Sequence, residues 1–187
     1  MNDANLTDQD LAVKARRDRS AFMDLYQRHI KRVYGYHLVR TSNEQDAQDL
    51  TSETFLAAMN GITNYRPKGS FYAWLMGIAY HKLIDYYREN STVVSLDNLP
   101  DPPEPGLTLE KQAVLQSDLN VIRQAIQSLT PDRANAISLR YFGGLNVAET
   151  ARVMEKTPAA VKMLVMRGLQ DIRDHYNVVL PEESNHE

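Results

Sequence analysis

The sequence predicts an all-α protein of two small helical domains, on three observations. Apolar residues recur at three- and four-residue steps through most of the chain. No segment sustains an alternation of period two, so no sheet is expected. Four of the eight prolines, Pro100, Pro102, Pro103 and Pro105, crowd into one stretch that no helix crosses.

The elements can be taken in chain order. Thr7-Asp8-Gln9-Asp10 suits a helix start, with an acceptor at the cap and carboxylates at the positive end of the helix. From Ala21 to Val39, the residues Phe22, Leu25, Tyr26, His29, Val33, Tyr36 and His37 mark one face of a long helix. Ser42 or Asn43 caps the next, which runs to about Ile62. Asn64 to Gly69 reads as a loop. Ser70 then caps a helix whose apolar residues include Phe71, Trp74, Leu75, Ile78, Ala79 and Leu83. Trp74 and Leu75 are read as core.

Residues 1–92 form the expected first domain, 93–116 a linker, 117–180 the second domain and 181–187 an acidic tail. A linker of about 20 residues at roughly 3.1 Å each spans about 60 Å. That lets two modules touch duplex sites more than one helical turn apart. In the second domain a helix is expected over about 110–128. Thr130-Pro131 starts another, and Gly143-Gly144 ends it. Two short helices complete the domain, about 147–155 and 158–176, with Lys156-Thr157 at the turn.

The 187 residues carry a net charge of −3 and no cysteine. Disulfides, thiolate metal sites and cysteine nucleophiles are therefore excluded. The charge is uneven: residues 1–92 hold 12 Lys+Arg and 11 Asp+Glu, and residues 117–180 hold 8 and 6. Both modules are slightly basic, which predicts weak unaided DNA binding. No apolar run nears the roughly 18 residues of a membrane span, and no segment reads as a signal peptide. The expected location is the cytoplasm, without membrane insertion.

Residues 146–173 have the pattern of a helix-turn-helix. The first helix is expected to bury Val147, Ala151 and Met154, with Ala148 and Ala151 small where two helices cross. Thr157 caps the second helix and Pro158 sits in its first turn. Val161, Leu164, Val165, Gly168, Leu169 and Ile172 form the stripe expected to face the core. The outer face carries Ala159, Lys162, Met163 and Met166, with Arg167 at its margin. Alanines near the start of a recognition helix permit close approach to the major groove. Lys162 and Arg167 reach phosphates or guanine edges, and Met163 suits a thymine methyl. A plain helical hairpin would have a solvated outer face. Two methionines on that face, and turn chemistry that fits at every position, favour DNA.

Here the chain resembles the extracytoplasmic-function sigma factors, the smallest members of the primary bacterial sigma family. Three stretches carry the resemblance. EQDAQDLTSETFLAAM (44–59) is similar to the family's acidic helix. NYRPKGSFYAWLMGIAYHKLIDYYRE (64–89) is similar to its promoter-reading helix. LTPDRANAISLRYFGGLNVAETARVM, continued through Arg173 (129–173), is similar to its C-terminal helix-turn-helix. Together they cover about half the chain, in the family's order.

The resemblance implies a non-enzymatic subunit that directs RNA polymerase to promoters. It implies that Gln45, Asp46, Asp49, Leu50 and Glu53 meet the clamp helices of the largest polymerase subunit, and that the chain also meets the polymerase flap. Asp46, Asp49 and Glu53 do share one helix stripe, although an ordinary solvated acidic face near a helix N-terminus would look the same. Arg66, Lys68, Phe71, Tyr72, His81, Lys82 and Arg88 are then expected to read one separated strand of the minus-ten element. Flipped bases need apolar pockets and backbone cations, which these residues supply together with Tyr80, Tyr86 and Tyr87. Thr157, Ala159, Lys162, Met163, Met166 and Arg167 are expected at the minus-thirty-five duplex. The chain departs from the family at His81, where Asn is usual, and at Met163 and Leu164, where Arg and Ser are common. An anti-sigma partner is a further implication, as no long C-terminal inhibitory segment follows the second domain.

No catalytic residue, metal site or cofactor is expected. His29, His37, His81, His175 and His186 are scattered, without zinc-site spacing, and no Walker motif or nucleophile elbow occurs. His29 and His37 read as core or boundary residues. Two other readings share these features: a sigma-like decoy for an anti-sigma factor, and a free-standing helix-turn-helix regulator. The retained acidic helix and the cations Arg66 and Lys68 weigh against the decoy; the free regulator is disfavoured because nothing predicts a dimer or ligand pocket and the 44–59 motif would be unexplained.

Overall fold

The structure, a computed structural model, describes residues 6–66, 69–91 and 120–179. The expected linker, the acidic tail and the loop residue Lys68 lie outside the described residues. So do the domain boundaries drawn at 92/93 and 116/117.

Helix α1 (Asp8–Ala15) starts at Thr7, whose hydroxyl accepts from the Asp10 amide while Asp10 accepts from the Thr7 amide, a reciprocal capping box. Helix α2 (Arg19–Thr41) ends where Ser42 turns left-handed at φ 55°. Asn43 then caps α3 (Glu44–Gly61) through a bond to the Asp46 amide. One 3₁₀ turn, Ile62–Asn64, closes that segment. Ser70 accepts from the Ala73 amide and opens α4 (Phe71–Ser91).

In the second half, α5 covers 120–127. Helix α6 (Pro131–Ile137) begins with proline at its first position, where no amide hydrogen is needed. It widens into a π-helical turn, Ser138–Phe142, closed by a 2.8 Å bond from the Gly143 amide to the Ser138 carbonyl. The sequence carried no sign of this widening. Gly144 comes next at φ +66°, a conformation that glycine adopts without strain. Helix α7 (Val147–Val153) has a second capping box, Asn146 with Glu149. Helix α8 (Pro158–Val179) completes the helix-turn-helix. No described residue lies in a strand.

The core lies on α2, which packs against α1, α3, α4 and the π turn. Leu25, Val33 and Tyr36 of α2 are fully buried, as are Leu75, Met76 and Leu83 of α4. Each of the leucines, the valine and the methionine among them stabilises the fold by roughly 1.5–3 kcal/mol. The same apolar cluster continues without a break into Leu139, Leu145, Val153 and Met154 of the second half. A smaller cluster joins Val39 of α2 to Ile126, Leu129, Ala134 and Ile137. The two halves thus share one core, although the sequence reads as two tethered units.

Candidate nucleic-acid interface

The helix-turn-helix is assembled by α7, a left-handed residue at Glu155 (φ 53°) and α8. Thr157 caps α8, its hydroxyl accepting from the Ala160 amide at 3.1 Å. Val161 and Gly168 are buried on the inner face. A Cβ built on Gly168 would sit 2.6 Å from Ile137 Cδ1, so glycine lets α8 approach α6 closely. Leu169, counted in the inner stripe from spacing, is instead 41% exposed. It lies about 100° around the helix from Gly168 and so turns away from the contact. In α7, Ala151 and Met154 are buried, but Val147 is only half-buried and Ala148 is exposed. Ala151 is therefore the small residue at the crossing.

The outer face of α8 is open. Thr157, Ala159, Lys162, Met163, Met166 and Arg167 are all exposed. Met163 and Met166 expose 42% and 57% of their surface, high for apolar side chains.

The residues expected at the separated strand divide. Arg66 and His81 are exposed and line one cleft of about 410 Å³ with Trp74, Gly77 and Ile78 of α4. Trp74, read as core, is only half-buried and forms part of the cleft wall. Phe71 is not at the surface: it is 1% exposed and packs on Tyr65 and Trp74 with ring centroids 5.6 and 5.5 Å away. Its position at the first turn of α4 points the ring into the core, where it supports Trp74. Tyr72 is 9% exposed, and its hydroxyl donates to the Gly143 carbonyl at 2.7 Å. The Arg32 guanidinium lies over its ring at 5.0 Å. Burial pushes the Tyr72 phenol up to about 12. Neither ring is available to a base in this arrangement. Lys82 reaches Glu53 on α3 at 3.0 Å, and Arg88 pairs with Asp85 at 2.9 Å.

The acidic helix divides as well. Gln45, Asp49 and Glu53 are exposed, and Gln45 donates to Asp49 at 3.2 Å. Asp46 is half-buried and accepts a 2.7 Å bond from the Tyr86 hydroxyl. Burial, then this acidic partner, hold the Tyr86 phenol well above its ordinary range. Leu50 is 5% exposed, on the inward face of α3 with Phe55, so it cannot contact a docked partner from there.

His29 and His37 are core and boundary groups. His29 pairs with Asp8 at 2.7 Å and stacks on Tyr72 at 4.8 Å, and burial lowers its pKa despite that carboxylate. His37 meets the Thr54 hydroxyl at 3.2 Å.

The far wall of the cleft comes from the other half of the molecule: Glu149, Arg152, Val153 and Glu155. Ser70 donates to Glu149 at 3.1 Å, and Arg152 lies over Gly69. None of these was singled out in the sequence. Their partners are some 80 residues away, and no local pattern reports such contacts.

Comparison with known proteins gives consistent matches. Residues 25–92 match the family Sigma-70 region 2, and residues 119–172 match Sigma-70, region 4. The chain is 35% identical to the ECF RNA polymerase sigma factor BldN of Streptomyces coelicolor over 83% of its own length and 60% of that protein. It is 30% identical to the RNA polymerase sigma factor CarQ of Myxococcus xanthus, covering 83% of this chain and 89% of CarQ. The fold is also that of CnrH, solved in complex with the cytosolic domain of CnrY. There the TM-score is 0.74 at 22% identity, over 91% of this chain and 97% of that one.

Proposed function

This chain belongs to the extracytoplasmic-function sigma factors of the sigma-70 family, and we propose that it directs RNA polymerase through three separate surfaces. It is a promoter-recognition subunit in transcription initiation. In our reading it acts in the cytoplasm, without catalysis and without a cofactor.

The outer face of α8 takes the duplex minus-thirty-five element. The single observation that carries this is the exposed set Lys162, Met163, Met166 and Arg167 on a helix whose opposite face is packed. Cations there neutralise phosphates, and methionines suit thymine methyls. Thr157 and Ala159, at the start of α8, sit where a recognition helix meets base edges.

The minus-ten strand is assigned to Arg66, Trp74 and His81, with Lys82 and Arg88 for its backbone. The cleft on α4 supports this, because an aromatic wall beside cations is what an unstacked base requires. Lys68 belongs with them by sequence. Gln45, Asp49 and Glu53 form the polymerase contact, with Asp46 held behind them by Tyr86. A protein partner that holds the free chain inactive is a further part of the proposal, prompted by the complex of CnrH with the cytosolic domain of CnrY.

Run-off transcription tests the whole. Purified chain is added to core polymerase with a library of genomic promoter fragments. Starts that share a two-element motif are expected. Tight binding to core with no initiation would reject the reading in favour of a decoy.

A further inference from the structure

We propose that α1 is the frame of the strand reader: Gln9 and Arg16 grip the backbone at Gly69 and Tyr65, and so position Arg66 for the minus-ten strand. The inference rests on the assignment of Arg66 to that strand and names what orients it.

Two side chains of one helix supply the grips. The Gln9 side-chain amide donates to the carbonyl of Gly69 at 2.8 Å. The guanidinium of Arg16, the C-cap of α1, donates to the carbonyl of Tyr65. Seven positions separate the two donors, about 20° short of two full turns, so both stand on one face of the helix. The chain is thus held at the residue before Arg66 and again three residues after it. Neither carbonyl is served by an adjoining helix. The Tyr65 amide closes the 3₁₀ turn on Ile62 at 3.2 Å, and α4 begins one residue later than Gly69, with the Trp74 amide on the Ser70 carbonyl at 3.3 Å. Gly69 itself turns at φ +116°, which fixes a bend that glycine adopts without strain.

The frame is anchored in its turn. Asp8, the neighbour of Gln9, accepts from Arg28 at 2.9 Å and meets His29 at 2.7 Å, both on α2. Arg28 also donates to the Leu6 carbonyl at 2.9 Å, and Leu11 and Ala12 of α1 are fully buried. At the other end, the residue that Arg16 grips is built into the cleft wall: the Tyr65 ring lies 5.1 Å from that of Trp74. Arg66 is exposed, and its side chain makes no ion pair or hydrogen bond among the described residues. Its reach is therefore set by the backbone beneath it. A group that reads a base has to be held within about 0.5 Å of its productive place. Two grips from one rigid helix supply that, along a continuous path from α2 through Asp8 and α1 to Arg66.

Promoter selection by the full chain with core polymerase tests this. Templates are randomised at the minus-ten and minus-thirty-five elements, and the run-off products are sequenced. Gln9→Met and Arg16→Met keep long side chains and remove the donors. Each should lower the ratio of best to worst base at one minus-ten position about fivefold, the share of one base contact. Preferences at the minus-thirty-five element and affinity for core should stay within about twofold of the parent. Arg16→Lys keeps a cationic donor and should recover most of the ratio. In an Arg66→Ala background, neither substitution should lower the ratio further. A merely structural role lowers output from every promoter alike and leaves the ratio unchanged, and that result overturns the proposal. Equal loss of preference at both elements, or a loss that adds to that of Arg66→Ala, overturns it too. Should Arg16→Met not fold, Gln9→Met decides alone, since its bond lies at the surface. If Arg66→Ala by itself leaves the minus-ten preference intact, the underlying strand assignment has failed, and the frame falls with it.

Discussion

The hydroxyl of Tyr72 donates to the carbonyl oxygen of Gly143 at 2.7 Å, inside the protein and across 71 positions of sequence. It ties the helix assigned to the separated strand to the turn that leads into the helix-turn-helix. A promoter-reading residue by sequence is thus a clasp in the structure.

Replacing Tyr72 with Phe removes this donor and leaves a buried carbonyl without it. The cost is expected to be about 1–2 kcal/mol in urea unfolding at pH 7. The deficit should shrink with alkali. The folded phenol titrates near 12 and the unfolded one near 10. The clasp therefore contributes fully below pH 10 and is lost as pH rises toward 12. A Phe variant whose deficit is unchanged at pH 11 would contradict the burial that raises the phenol.

His37 contributes to the acid sensitivity of the fold, in the same direction as His29, which burial also lowers. Burial lowers its pKa from 6.5 to about 3, and its ring has the Thr54 hydroxyl as hydrogen-bond partner. A depressed folded pKa means stability is complete above pH 6.5 and falls as pH drops toward 3, by up to about 1.4 kcal/mol per pH unit. His37→Gln should flatten the unfolding free energy between pH 6.5 and 4.5. An unaltered slope in calorimetry or urea titration would show that another group controls it.

On the acidic helix, Asp49→Lys combined with Glu53→Lys is expected to leave folding nearly intact. The Glu53–Lys82 pair is solvent-screened, at 54% and 34% exposure, and such pairs contribute at most about 1 kcal/mol. Association with core polymerase should weaken at least about tenfold in gel filtration or anisotropy at moderate salt. Assembly equal to the parent's would remove these residues from the docking surface.

At the recognition helix, Arg167→Ala should weaken duplex binding and reduce the slope of log affinity against log salt by about 1, the signature of one lost phosphate contact. Met163→Ala should instead change promoter preference and leave that slope alone. The comparison needs only anisotropy titrations at several salt concentrations. Identical slopes for parent and Arg167→Ala would place Arg167 off the phosphate backbone.

Local chemistry explains which features were legible in advance. Caps at Thr7, Asn43, Ser70 and Thr157 are decided within three residues of themselves. The buried face of α2 comes from helical spacing alone. The π turn at Ser138–Phe142, which packs against α2, did not show in the residue pattern. Phe71, Tyr72 and Leu50 carry residue types that suit either a surface reader or a core filler, and their type could not decide.

Periodicity, capping and short motifs along the chain sufficed to read the all-α class, the order of most helices, the helix-turn-helix and the family. The fold in three dimensions was needed to show that the two halves share a core, that Tyr72 clasps Gly143, and that Glu149 and Arg152 form a wall of the cleft beside Trp74. Those outcomes depend on which apolar faces meet when residues some 70 to 80 positions apart fold together. That meeting is set by burial and shape across the molecule, which no local pattern encodes.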